Sequence, residues 1–136
     1  MKILVSVFNN LYTDQRVEKF CKTLHENAYQ IEVIGNNWGG NPEMKRTYPF
    51  SRISLQSKKL RFAYLEFQWK LFLALLKKAD QNTILHANDL DALLPNYLVS
   101  KIKGIPLVWD SHEIFTEMPT VTNRWFSMFG DFWKRL

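Results

Sequence analysis

Leu107-Val108-Trp109-Asp110-Ser111-His112-Glu113 is the stretch on which the reading of this chain turns. It starts as a short apolar run behind Pro106 and ends in four consecutive polar residues. Such a run reads as a buried strand that releases its polar residues where it stops. In open parallel α/β sheets, ligands bind in the crevice beyond the carboxyl ends of the strands. Asp110, His112 and Glu113 are therefore expected on the working edge of such a sheet. The plainer alternative is that Asp110 or Ser111 only caps the next segment, since both residue types are strongly preferred at caps.

Upstream, Thr83 to Ala87 repeats the pattern, with His86, Asn88, Asp89 and Asp91 at its end. Lys2 to Phe8 is apolar and β-branched, as a central first strand would be. Thr13 or Asp14 can cap a helix running to about Asn27, with Val17, Phe20, Cys21 and Leu24 on one face. Cys21 then belongs to the core. Tyr29 to Gly35 alternates like a second strand, and Asn36 to Arg52, rich in Asn, Gly and Pro, reads as a long loop. Gly35, Gly39 and Gly40 are expected to supply turn conformations there. A short strand is expected at Arg52 to Leu55.

Leu60 to Ala79 is helical and apolar nearly all round, with Lys59, Glu66, Lys70 and Lys77 on its polar stripe. Glu66 precedes Lys70 in the favourable i,i+4 order. A helix is expected over Asp89 to Lys103, with Leu93, Leu94, Tyr97, Leu98 and Ile102 inward and Pro95 in the first turn, where proline is tolerated. After the strand at Leu107 come a loop closed by Pro119 and a last helix from about Asn123. Strands alternating with helices, and no hairpin turns, predict a Rossmann-like α/β fold with a doubly wound, mostly parallel sheet.

The 136 residues suffice for one domain with a single sizeable core. The formal net charge of +5 favours anionic partners without choosing among nucleotide phosphates, acidic lipid and nucleic acid. Cys21 is the single cysteine, which rules out an intrachain disulfide and suits a reducing, cytoplasmic compartment. Lys2 leads straight into a strand, so no signal peptide is read, and Arg61, Glu66 and Lys70 break the most apolar window. The chain stops inside an expected helix at Trp133-Lys134-Arg135-Leu136, which suggests a piece of something longer.

Neither a G-x-G-x-x-G nor a P-loop fingerprint stands after the first strand. That connection instead offers Asn9, Asn10, Thr13 and a helix N-terminus suited to an anion, with Arg16 in the first turn. The two polar strand ends, His86-Ala87-Asn88-Asp89 and Asp110-Ser111-His112-Glu113, would emerge on one edge and bring titratable groups together from distant parts of the chain. Ser111, His112 and Glu113 are too close in sequence for a relay triad, and no nucleophile elbow is present. A metal site from His86, Asp89, Asp110 and His112 is chemically open, although its spacing matches no ligand signature. Lys45, Arg46, Arg52, Lys58, Lys59 and Arg61, interleaved with Tyr48, Phe50, Phe62 and Tyr64, could serve an acidic membrane face or single-stranded nucleic acid. The alternative is a solvated loop and helix start.

Four segments, KILVSVFNN, TDQRV, HANDLDALLPNYL and VWDSHEIFTEMP, make the chain resemble the N-terminal domain of family 4-type retaining glycosyltransferases of the GT-B fold. The resemblance implies a two-domain enzyme whose N-terminal half binds the acceptor, a glycan or a lipid-linked sugar. The C-terminal half, absent from these residues, would bind a nucleotide sugar. It places His112 near the reacting sugar as the catalytic group. Arg16 and the first loop (Asn9, Asn10, Thr13) would face the donor phosphates, and His86, Asn88, Asp89, Asp110 and Glu113 would line the cleft. Asn9-Asn10 stands where many members carry a glycine pair. No essential metal or other cofactor is implied, and no nucleic acid partner; peripheral contact with the cytoplasmic membrane face fits the basic middle segment. Two other classes stay open, a metal-dependent hydrolase or phosphoesterase and a stand-alone binding module.

Overall fold

Eight elements alternate along the chain in the computed structural model, which describes residues 1–36, 43 and 45–111. They are β1 (Lys2–Asn10), α1 (Gln15–Glu26), β2 (Gln30–Asn36), β3 (Phe50–Ile53), α2 (Leu60–Lys78), β4 (Thr83–Asn88), α3 (Asp89–Lys103) and β5 (Leu107–Asp110). The strands form one sheet in the order β3-β2-β1-β4-β5, and every pairing is parallel. This is the doubly wound arrangement expected from the sequence. The short strand β3 begins two residues before the expected Arg52, inside the stretch read as loop. The loop after β5 and the last helix lie outside the described residues.

Alternation along β1 serves both faces at once. Ile3, Val5 and Val7 join Ile31 and Val33 beneath α1, where Val17 and Cys21 are buried. Leu4 joins Ile34, Leu85 and Ala87 beneath α2 and α3, against Phe67, Leu71 and Leu75. A strand buried on both sides must be apolar nearly throughout, as β1 is. Cys21 is in the core as expected, and burial pushes its thiol up to about 12.

The inward face of α3 is not the expected one. Ala92, Pro95, Asn96 and Val99 are buried, while Leu94, Tyr97, Leu98 and Ile102 are exposed. Small side chains let α3 approach β1 closely, and Ser6 Oγ donates to Asn96 Oδ1 at 3.4 Å in the contact. Asn96 Nδ2 donates to the Ala92 carbonyl at 2.7 Å. A helix apolar on two sides gives hydrophobicity no means of choosing between them; residue size and the Ser6 partner decide.

Pro95 also stands further along than expected, in the second turn of α3. Proline cannot donate to the carbonyl four residues back, here Asp91, and Gln68 Nε2 of α2 donates to that carbonyl instead. Gln68→Ala is expected to destabilise the fold by about 1 kcal/mol, since it leaves a part-buried acceptor without its donor. Urea denaturation of the two proteins checks this, and an unchanged midpoint would contradict it.

Gly35 has a different use from the turn expected of it. A Cβ there would lie 2.6 Å from Leu11 Cγ, so its bare backbone makes room for the buried Leu11 side chain. The turn glycine is Gly104, which ends α3 in the left-handed conformation with φ of 65°. Gly39 and Gly40 lie outside the described residues.

Candidate functional site

The carboxyl ends of all five strands point to one edge, and the first loop is built on it from its own residues. Asp14, rather than Thr13, caps α1: its Oδ1 accepts from the Val17 N–H at 3.0 Å. Asn9 Nδ2 donates to the other carboxylate oxygen of Asp14 at 3.3 Å. The helix N-terminus expected to attract an anion thus already carries a carboxylate, which leaves Arg16 as the cation of this loop. Thr13 is exposed in the turn between them, and Asn10 pairs in register with Asn36.

Leu11 fixes the loop from below. Its N–H donates to the Asn36 carbonyl, and its own carbonyl accepts from Arg46. Arg46 also donates to the Tyr48 hydroxyl and lies 3.8 Å from Glu18. With its side chain only 5% exposed, Arg46 is withdrawn from the basic surface expected of the middle segment. A buried guanidinium needs several oxygen partners at once, and here they tie the segment after β2 to the loop after β1.

Arg16 reaches across to α3. Its Nη2 lies 2.9 Å from Asp89 Oδ2, with both side chains partly exposed, and its Nε has no hydrogen-bond partner. Asp89 begins α3 with φ of 61°, in the left-handed region that a non-glycine residue enters at some cost. The ion pair joins the starts of the two helices on either side of β1 and β4, where the strand order reverses. Ligands of open α/β sheets bind at that reversal.

The preceding residues turn inward. Asn88 Nδ2 donates to the Ser6 carbonyl at 3.3 Å and lies 3.4 Å from His86 Nδ1. His86 is 7% exposed beneath α1, its ring centroid 4.7 Å from that of Phe20. It therefore supports the cleft from below, through Asn88, and does not open onto it. Asp110 pairs in register with Asn88, which sets these two strand ends side by side. Glu113 and His112 lie outside the described residues. Among the described residues, no three His, Cys, Asp or Glu side chains gather as a metal would require, so His86, Asp89 and Asp110 do not form a ligand set.

Asp91, among the polar residues expected at the end of β4, is partly buried in the first turn of α3. Burial pushes its carboxyl above the usual range, and the nearby Asp89 adds to this. A folded-state pKa above the unfolded one means that ionisation costs stability, so this contribution falls as pH rises through the unfolded value and beyond. Asp91→Asn is expected to raise the melting temperature at neutral pH, with the gain shrinking in acid. A difference that stays constant from acid to neutral pH would contradict it. The sequence marks Asp91 only as one of the polar residues after a strand; its burial is not legible there, although Pro95 four positions later leaves the Asp91 carbonyl without a donor from α3.

No protein-family model and no curated protein sequence matches the chain. Among solved structures it is similar to UDP-GlcNAc 2-epimerase from Methanocaldococcus jannaschii, with a TM-score of 0.51 and 13% sequence identity. The match covers 95% of this chain and 36% of that one, so the chain spans little more than a third of that protein. At this identity the likeness is one of fold. The chain has a Rossmann-like fold, shared with one part of that longer protein.

Proposed function

We propose that this domain is the acceptor-side half of a GT-B glycosyltransferase, which moves a sugar with retention from a nucleotide sugar to a glycan or lipid-linked acceptor. The observation that carries the reading is the edge at the β1–β4 reversal. There Arg16, at the start of α1, pairs with Asp89, the residue that follows Asn88, and Asn88 lies in register with Asp110. The segment HANDLDALLPNYL and the start of VWDSHEIFTEMP, through Asn88 and Asp110, contribute to that edge. A second α/β domain would bring the nucleotide sugar against it.

In that assignment Arg16 stabilises charge on the leaving diphosphate, since Asp14 already occupies the helix N-terminus and the Asn9 amide. His112 positions the reacting sugar, and Asp110 and Glu113 face the acceptor. Preorganised cationic and N–H donors can offset developing negative charge in a closed cleft without a bound cation. Activity is therefore expected to survive chelation of divalent metals.

The test uses the polypeptide with both domains, incubated with UDP- and GDP-sugars and candidate acceptors. Acceptor-dependent release of the nucleoside diphosphate supports the proposal. The likeness to an epimerase of UDP-GlcNAc favours one other reading. Conversion of the sugar with its bond to the nucleotide intact would establish that reading and overturn transfer.

A further inference from the structure

The outer side of α2 and α3 is accounted for by neither the cleft nor the core. On α2, Phe62, Leu65, Trp69 and Leu73 recur every three or four residues and are 60%, 63%, 62% and 45% exposed. On α3, Leu94, Leu98 and Ile102 form a second stripe, also exposed. The helices run side by side in the same direction, joined by Gln68, midway along α2, to the Asp91 carbonyl near the start of α3, and at their ends by Lys103 to the Ala79 carbonyl. Their apolar stripes therefore lie on one continuous flank of the sheet.

The charges are sorted around that flank. Lys58, Lys59 and Arg61 are exposed at the start of α2, Lys77 near its end and Lys101 on α3. None of the five makes an ion pair among the described residues. The acids of the two helices are engaged elsewhere. Glu66 accepts from Lys70 and from the Gln56 and Ser57 N–H groups, and Lys70 above all holds its carboxyl down at about 2. Asp89 pairs with Arg16, and Asp91 is partly buried.

We propose that this flank docks on an anionic lipid bilayer, with α2 lying in the plane of the interface. Leucine and aromatic side chains would enter the boundary between headgroups and acyl chains, and the rim of cations would face the acidic headgroups. That division of labour defines interfacial helices, and tryptophan favours the same depth. A second copy of the chain fits poorly, because its own cations would be set against these. Among the described residues no helix is long and apolar enough to cross a membrane, so the contact is peripheral. The inference stands on this surface and is independent of the glycosyltransferase reading.

The experiment is sedimentation of the protein with vesicles of phosphatidylcholine alone and of phosphatidylcholine mixed with phosphatidylglycerol. Binding is expected with the acidic vesicles only and should weaken as salt is raised. Replacing Lys58, Lys59 and Arg61 by glutamine should weaken that binding on the order of a hundredfold, given the usual contribution of each basic residue near such a surface. A Leu65→Gln, Trp69→Gln variant, changed only at exposed positions, should keep its circular dichroism spectrum and lose binding. Equal sedimentation with both vesicle types, sedimentation with neither, or a glutamine variant that binds like the parent would overturn the proposal. A dimer by light scattering that Trp69→Gln dissolves would also overturn it, by assigning the face to a second copy.

Discussion

Phe67→Ala is expected to lower the stability of the fold by about 3–5 kcal/mol, the range for emptying a fully buried aromatic site. Phe67 has no exposed surface and lies among Leu4, Ile34, Leu71 and Leu85. Its ring meets that of Phe8 edge-on, with centroids 4.9 Å apart, and Phe8 meets Tyr64 in the same way at 5.5 Å. Alanine would remove one partner from this chain of rings and leave a void under the sheet's middle strand. Total stabilities of about 5–15 kcal/mol make that a large fraction of what holds a domain together. The matching control is Phe62→Ala on the same helix, expected within about 0.5 kcal/mol of the parent because that ring is exposed. Urea midpoints for the two variants make the comparison. Equal losses would mean that α2 packs by another face.

If the proposed glycosyltransferase function holds, His112→Ala in a polypeptide that carries both domains is expected to lower the rate of sugar transfer by about 10²–10³, the loss typical of one preorganised polar contact at a reacting centre. The residue comes after the strand β5, two positions past Asp110. The resemblance to family 4-type glycosyltransferases puts it beside the transferred sugar. A histidine that served only the fold would show the opposite signature. Its loss would leave the single-turnover rate at saturating donor unchanged and lower stability by roughly 1–3 kcal/mol, as for a buried partner left unsatisfied. Melting temperature and single-turnover rate, measured on the same preparation, separate the two. A normal rate with a lowered melting temperature removes His112 from the chemistry.

The order of elements is legible in the residues because each strand is an apolar run with polar punctuation, and each helix between strands is long enough to cross over. The cap at Asp14 and the Glu66–Lys70 pair are legible too, since both are local rules of spacing. What escapes is set by partners distant in sequence. Arg46 looks like surface until Leu11, Glu18 and Tyr48 close around it. His86 looks like an edge residue until α1 folds Phe20 over it. Gly35 looks like punctuation until Leu11 needs its space. The face of α3 escapes for a different reason: the helix offers leucines on the wrong side and an asparagine on the right one, and only Ser6 on β1 reveals why. At the candidate site, the pairing of Arg16 with Asp89 depends on the crossover of α2 between them. No local pattern announces it.

The place of β1 in the sheet also governs the order in which the chain can fold. It leaves the ribosome before the other four strands of the sheet, yet one of its two edges stays bare until residues near His86 arrive to pair with Val5. Closing so long a loop costs entropy before any cross-strand contact offsets it, and parallel sheets with distant partners are slow to form for that reason. During synthesis β1, α1 and β2 can assemble, but Leu4 and Ile34 then face solvent until α2 covers them. The nascent half-sheet therefore offers an apolar face and an unpaired edge together, and a ribosome-bound holdase would have its opportunity there.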